Sequence, residues 1–145
     1  MDIRKLLSEP VADRTVEVPY QGSTYLVRGR PDAGLIGRTV YLPDEHAKLR
    51  AEHYRRVLGD GASFDPDDVR RILLVAATLV PPEGEAPYDE TEIARLATQH
   101  GVLFLALAGA ALTVVGLVQE DEDAAGPTLE VAASNPFGGD PDGSS

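Results

Sequence analysis

The stretch "GVLFLALAGAALTVVGLV", Gly101 to Val118, decides how this chain folds. From Val102 to Val118 it carries no charge, and Thr113 is its one polar side chain. "QEDED" follows directly. Two readings compete: a membrane span, or a helix that the rest of the chain must cover. Seventeen residues at ~1.5 Å each reach roughly 26 Å, short of the ~30 Å hydrocarbon layer. The flanks hold no Trp or Tyr belt and no nearby Lys or Arg, which a span normally uses as anchors. Four of the positions are Ala and two are Gly, so much of the segment partitions weakly. An all-round apolar helix belongs in a core. Its five Leu, four Val and one Phe each gain ~1.5–3 kcal/mol on burial. The helix is therefore expected to be covered, with one face left for a partner at Leu103, Phe104, Leu107, Ala110 and Val114. A single-span membrane protein with its helix at 102–118 is the alternative.

The elements available to cover it read as follows. Ile3, Leu6 and Leu7 have helical spacing, and Pro10 stops them. In "RTVEVPYQGSTYLVRGR", Val16 and Val18 alternate with Thr15 and Glu17, and Thr24 to Val27 are all strand formers. Gly22 permits a tight reversal, so a β-hairpin is expected over 14–20 and 23–29. Such a hairpin is marginal alone and must pack on a helix. "GRPDAGLIGRTVYLP" is rich in breakers and reads as a loop, with a turn of helix or a short strand at Thr39–Leu42. Asp44 is expected to cap a helix over 44–59 with an apolar stripe of Ala47, Leu49, Tyr54 and Leu58. Asp65 as N-cap and Pro66 at the first position open a helix over 66–80. Ile72, Val75, Ala76 and Leu79 form its buried face, widened by Leu73 and Val80, and Pro81–Pro82 end it. Asp89 or Thr91 caps a last helical region over 90–118, carrying Ile93, Leu96 and Ala97, either broken at Gly101 or continuous. The fold class is mostly α (α+β): a small helical domain, 1–118, with an N-terminal β-hairpin and a disordered, flexible acidic tail, 119–145.

Charge narrows the function. The chain of 145 residues has a net charge of −11. Up to Val118 there are 17 acids against 13 bases; beyond it there are seven acids and no base. Nucleic acid is disfavoured as a partner, because phosphate contacts need clustered Lys or Arg. There is no Cys, hence no disulfide framework or thiolate chemistry. The opening "MDIRKLLSEPVADR" lacks the apolar run of a signal peptide.

No catalytic constellation stands out. His46 and His53 are seven apart, about 10 Å along a helix, whereas helical metal pairs sit at i, i+4. Asp65, Asp67 and Asp68 read as a cap with dipole-complementing acids, not as a calcium loop. G-x-S-x-G, Walker and dinucleotide-binding fingerprints are missing from the sequence. No enzyme activity, metal or cofactor is expected. "NPF", Asn135-Pro136-Phe137, is a candidate docking motif in the tail.

"VEVPYQGSTYLVR" (16–28), "VRRILLVAATLVPPEGEAPYDETEIARLA" (69–97), the apolar segment with Val115-Gly116-Leu117, and the acidic tail follow one another in order. That order resembles the tail assembly chaperones of long-tailed bacteriophages, the lambda G type. "GRPDAGLIGRTVYLPDEHAKL" departs from it, since a helix is expected sooner after the hairpin. The resemblance implies a non-enzymatic chaperone that binds the tape measure protein, keeps it soluble and assists tail tube polymerisation. It implies action in the cytoplasm of the infected bacterial host and absence from the mature virion. It further implies a longer frameshifted form that recruits tail tube protein; self-association is an additional possibility for the apolar face. Another phage structural or connector protein is the remaining alternative. If a frameshift product exists, Gly138-Gly139-Asp140 should be encoded by a slippery GGG-GGG-GAC run. Reading the codons checks this, and GGC-GGT there counts against it.

Overall fold

The turn at Gln21–Gly22 sets the hairpin. Both residues have positive φ, 50° and 82°, as a type I′ turn requires, and this turn matches the twist of the flanking strands. The structure, a computed structural model, describes residues 3–8, 12–59 and 61–118. In it β1 (Arg14–Tyr20) and β2 (Ser23–Gly29) pair antiparallel, with Val16 opposite Val27 and Val18 opposite Tyr25. Val18 and Val27 are buried, while Glu17 and Arg28 face out. Pro19 pairs with Thr24, one residue from the turn-closing pair Tyr20–Ser23. That is a position whose N–H points away from the partner strand, so its missing donor costs no ladder bond.

Six helices complete the described chain. They are α1 (Ile3–Leu7), α2 (Ala33–Arg38), α3 (Asp44–Leu58), α4 (Pro66–Thr78), α5 (Glu90–Gln99) and α6 (Gly101–Val114). The α4 start is as the sequence predicts. Asp65 accepts from the Asp68 N–H, Asp68 accepts from the Asp65 N–H, and Pro66 stands at the first turn. α5 uses the same reciprocal box between Asp89 and Glu92, which makes Asp89 the cap and not Thr91.

Several expectations need correction. Thr39–Leu42 is neither a strand nor a turn of helix. The helix lies earlier, as α2, because the Asp32 carboxylate accepts from the Gly34 and Leu35 N–H groups; Thr39 then ends it with its hydroxyl on the Leu35 carbonyl. Asp44 is the first helical residue of α3, after Pro43, and supplies no cap bond. Its carboxylate instead accepts from Arg70 of α4. Leu49 does not belong to the buried stripe of α3 and is 68% exposed. The buried face runs Ala47, Ala51, Tyr54, Leu58, and Leu49 sits about 200° from Ala47 on the helical wheel. α4 stops at Thr78, not at 80: Leu79 makes an antiparallel bridge to Val27, and the Val80 N–H donates to the Leu26 carbonyl at 2.9 Å. Pro81 has no N–H to extend that pairing.

The decisive segment is not one helix from 90 to 118. His100, with φ −136° and ψ 64°, separates α5 from α6. Gly116 ends α6. It has φ +85°, its N–H donates to the Thr113 carbonyl, and the Leu117 N–H reaches back to Leu112 at 3.0 Å. This is a Schellman closure, and glycine is favoured there because a Cβ is costly at positive φ. α6 therefore has 14 residues, about 21 Å of length. Among the described residues no helix is long and apolar enough to cross a membrane. The hairpin, α4 and α5 pack around α6, and Arg14 of β1 donates to the Thr113 carbonyl at its C-terminal end, where a cation suits the helix dipole. Residues 119–145, with Asn135, Pro136, Phe137 and Gly138-Gly139-Asp140, lie outside the described residues.

Two glycines should respond oppositely to alanine. At Gly116 a Cβ meets both the positive φ and Pro31 Cγ at 3.1 Å, so Gly116→Ala should cost about 1–2 kcal/mol. At Gly109, inside α6, a Cβ meets nothing within 4 Å, so Gly109→Ala should stabilise by about 1 kcal/mol. Urea midpoints at unchanged m-value check both signs.

Candidate partner-binding surface

α6 has one polar side chain, Thr113, and its hydroxyl is turned onto the Gly109 carbonyl. Every other position is apolar or glycine, so burial is decided by what the neighbours reach. Leu103, Phe104, Leu107, Ala110 and Val114 are all buried, with Leu107 and Val114 at 0% exposure. These five were the expected partner face. Their place in the core corrects that assignment, and the reason is geometric: they lie on the sides taken by the hairpin, α4 and α5.

The side left open is the opposite one. Val102 is 73% exposed and Leu105 is 59% exposed. Ala106, Gly109 and Leu112 continue the stripe at helical spacing, each half-buried. No charge interrupts it. A contiguous apolar stripe facing water is what marks an interaction surface, whereas single exposed apolar residues do not. Sequence periodicity could not distinguish this stripe from the core, because both faces of the helix are equally apolar.

Among the described residues, recesses border α6 on two sides. Beside Ala108 and Leu112, one is edged by Val40, Asp67, Arg70 and Arg71. Arg70 is held there by Asp44, by Asp67 at 2.8 Å and by the Leu42 carbonyl at 2.9 Å. The other is larger, a cleft of about 420 Å³ between the hairpin, α5 and α6. Its apolar residues are Leu79, Ile93, Leu96, Leu103 and Leu107. Its polar residues include Tyr20, Tyr25, Tyr88, Glu92 and His100. The Tyr20 hydroxyl lies 3.3 Å from His100 Nδ1, and the two rings meet edge to face with centroids 5.9 Å apart. The Tyr88 pKa is raised, first by burial and then by the charges of Glu85 and Glu92, with Tyr25 adding to them. Two residues of the expected partner face, Leu103 and Leu107, thus take part in this cleft. Its tyrosines come from the hairpin and from the loop before α5, so no spacing in the sequence unites them.

A second polar cluster is structural. The Tyr54 hydroxyl donates to Glu90 Oε1 at 2.6 Å, and Arg50 Nη1 reaches both Glu90 oxygens at 2.7 Å. This ties α3 to the first residue of α5. Tyr54 is fully buried, with its ring edge to face with Phe64. Burial, then the Glu90 hydrogen bond and charge, drive its pKa well above the ordinary 10.0. The same Glu90 hydrogen bond raises the Arg50 pKa, partly opposed by burial. Arg50, Tyr54 and Glu90 line neither the cleft nor the recess beside α6. His46 and His53 are both exposed on α3, and among the described residues no group of three or more His, Asp or Glu could hold a metal ion.

Comparison with family models, curated proteins and solved structures finds no match for this chain.

The Tyr54 cluster makes stability depend on alkaline pH. The unfolded phenol loses its proton near 10.0 and the folded one only at higher pH. Its contribution is therefore complete below pH 10 and is lost as pH rises above it. Urea midpoints should fall from pH 9 to pH 11. Tyr54→Phe should start lower, by about 1.5–3 kcal/mol for a lost bond to a charged group, and fall less steeply over that interval.

Proposed function

We propose that this chain is a non-enzymatic binding protein: a tail assembly chaperone of the lambda G type. Its open α6 face holds a helix of the tape measure protein, keeps that protein soluble and assists tail tube polymerisation. The observation that carries the reading is the stripe Val102–Leu105–Gly109. It is an apolar, charge-free helix face left uncovered while the opposite side of the same helix fills the core. A client helix can lay its own apolar side along such a stripe, with Gly109 allowing close approach. The net charge of −11 keeps complexes apart in solution by mutual repulsion. On this reading the protein works in the cytoplasm of the infected bacterium and is absent from the virion. A longer frameshifted form would bring in tail tube protein.

Co-expression with the tape measure protein of the same genome tests the proposal. Wild-type chain should hold the tape measure protein in the supernatant and co-purify with it. Leu105→Asp should weaken capture about tenfold or more, since burying a leucine gains ~1.5–3 kcal/mol, while stability changes by only about 0.5 kcal/mol. Leu107→Asp, at a fully buried position, should unfold the domain. Unchanged capture by Leu105→Asp, or recovery of the chain as a component of purified virions, would refute the reading.

A further inference from the structure

The 420 Å³ cleft beside α6 has a chemical signature of its own. Among the described residues Glu92 is the one carboxylate on its lining, and no Lys or Arg lines it. One Glu92 oxygen already accepts from the Asp89 N–H, which leaves the other oxygen for a ligand. Tyr20, Tyr25 and Tyr88 line the same cleft, and phenol faces attract cations through the ring quadrupole. Leu96 supplies apolar surface at the cleft wall, with the buried Leu103 and Leu107 packed behind it. A long apolar stem ending in a cation fits this combination, because its stem covers that apolar wall while its head meets the carboxylate and the rings.

We propose that this cleft receives an arginine or lysine side chain of the protein partner held on α6. The inference rests on the client reading above, and the placement supports it. Leu103 is one residue on from Val102, about 100° round the helix. Val102, at one edge of the stripe, therefore neighbours the Leu103 wall of the cleft, and a partner helix on the stripe reaches the cleft round that edge with a long side chain. Glu85, close enough to raise the Tyr88 pKa, adds negative potential at the cleft.

The test uses the full chain and n-butylguanidinium as the probe, followed by two-dimensional NMR of the backbone amides. The probe should shift Tyr88, Glu92 and Leu96 saturably, with millimolar affinity. 1-Pentanol and pentanoate should bind at least tenfold more weakly. Glu92→Gln keeps an acceptor for the Asp89 N–H, as a glutamine does in a capping box, yet should lose about tenfold in probe affinity while the thermal midpoint falls by no more than a few degrees from the lost helix-dipole charge. Tyr88→Leu keeps the apolar surface, removes one ring and should weaken the probe several-fold. An amphipathic Leu/Ala helical peptide with one arginine should bind more tightly than its norleucine counterpart, and Glu92→Gln should abolish the difference. Pentanol binding as well as the probe, Glu92→Gln leaving probe affinity unchanged, or equal affinity of the two peptides would overturn the proposal. Probe and arginine-peptide binding without capture of the tape measure protein supports the cleft assignment and removes the client reading instead.

Discussion

Seven side chains of α6, from Leu103 to Val114, are taken out of water by the hairpin, α4 and α5. The other elements answer to that burial. The hairpin cannot stand alone, and its inward residues Val18 and Val27 find their cover in the shared core. The chain leaving α4 binds the outer edge of β2 through Leu79 and Val80, which fixes the hairpin against the helices. At each ~1.5–3 kcal/mol for a large apolar side chain, this burial outweighs the surface ion pairs, which contribute at most about 1 kcal/mol each. Arg50–Glu90 and Arg70–Asp44 therefore set how α3 meets α5 and α4 more than they set the stability.

What could be read from the sequence follows from how local each signal is. The hairpin was legible to the residue, because alternation over Thr15–Val18 and a Gly at the reversal both act within a few positions. The α4 start was equally clear, since Asp65, Pro66 and Asp68 satisfy one another's backbone needs. α2 was hidden. Its cap, Asp32, precedes a helix interrupted by Gly34 and Gly37, and breaker residues there outweighed the cap. Leu49 reads as part of the α3 stripe by its hydropathy alone, yet it lies on the exposed side of that helix.

The partner surface was the least legible. A helix with apolar residues all round has no preferred side until its neighbours are placed. The five residues expected to meet a partner are instead core, and Val102 and Leu105 are the ones that face water. The cleft escaped for a different reason: Tyr20, Tyr25, Tyr88 and Glu92 are brought together by the packing of α5 against the hairpin and not by proximity in the chain. Gly116 carried a readable signal, a glycine followed by two apolar residues at a helix end. Reading it as a stop shortens the apolar helix and removes the length that a membrane span needs.

The central claim is that α6 is the interior pillar of the domain, ending at Gly116 and open along a single stripe. Native-state amide hydrogen exchange, followed residue by residue, tests it most directly. The account predicts the slowest exchange from Leu107 to Val114, with opening energies equal to the global unfolding energy, and amides in α1 among the fastest. Exchange in α6 as fast as in α1, or protection continuing through Leu117 and Val118 as in an unbroken helix, would contradict it.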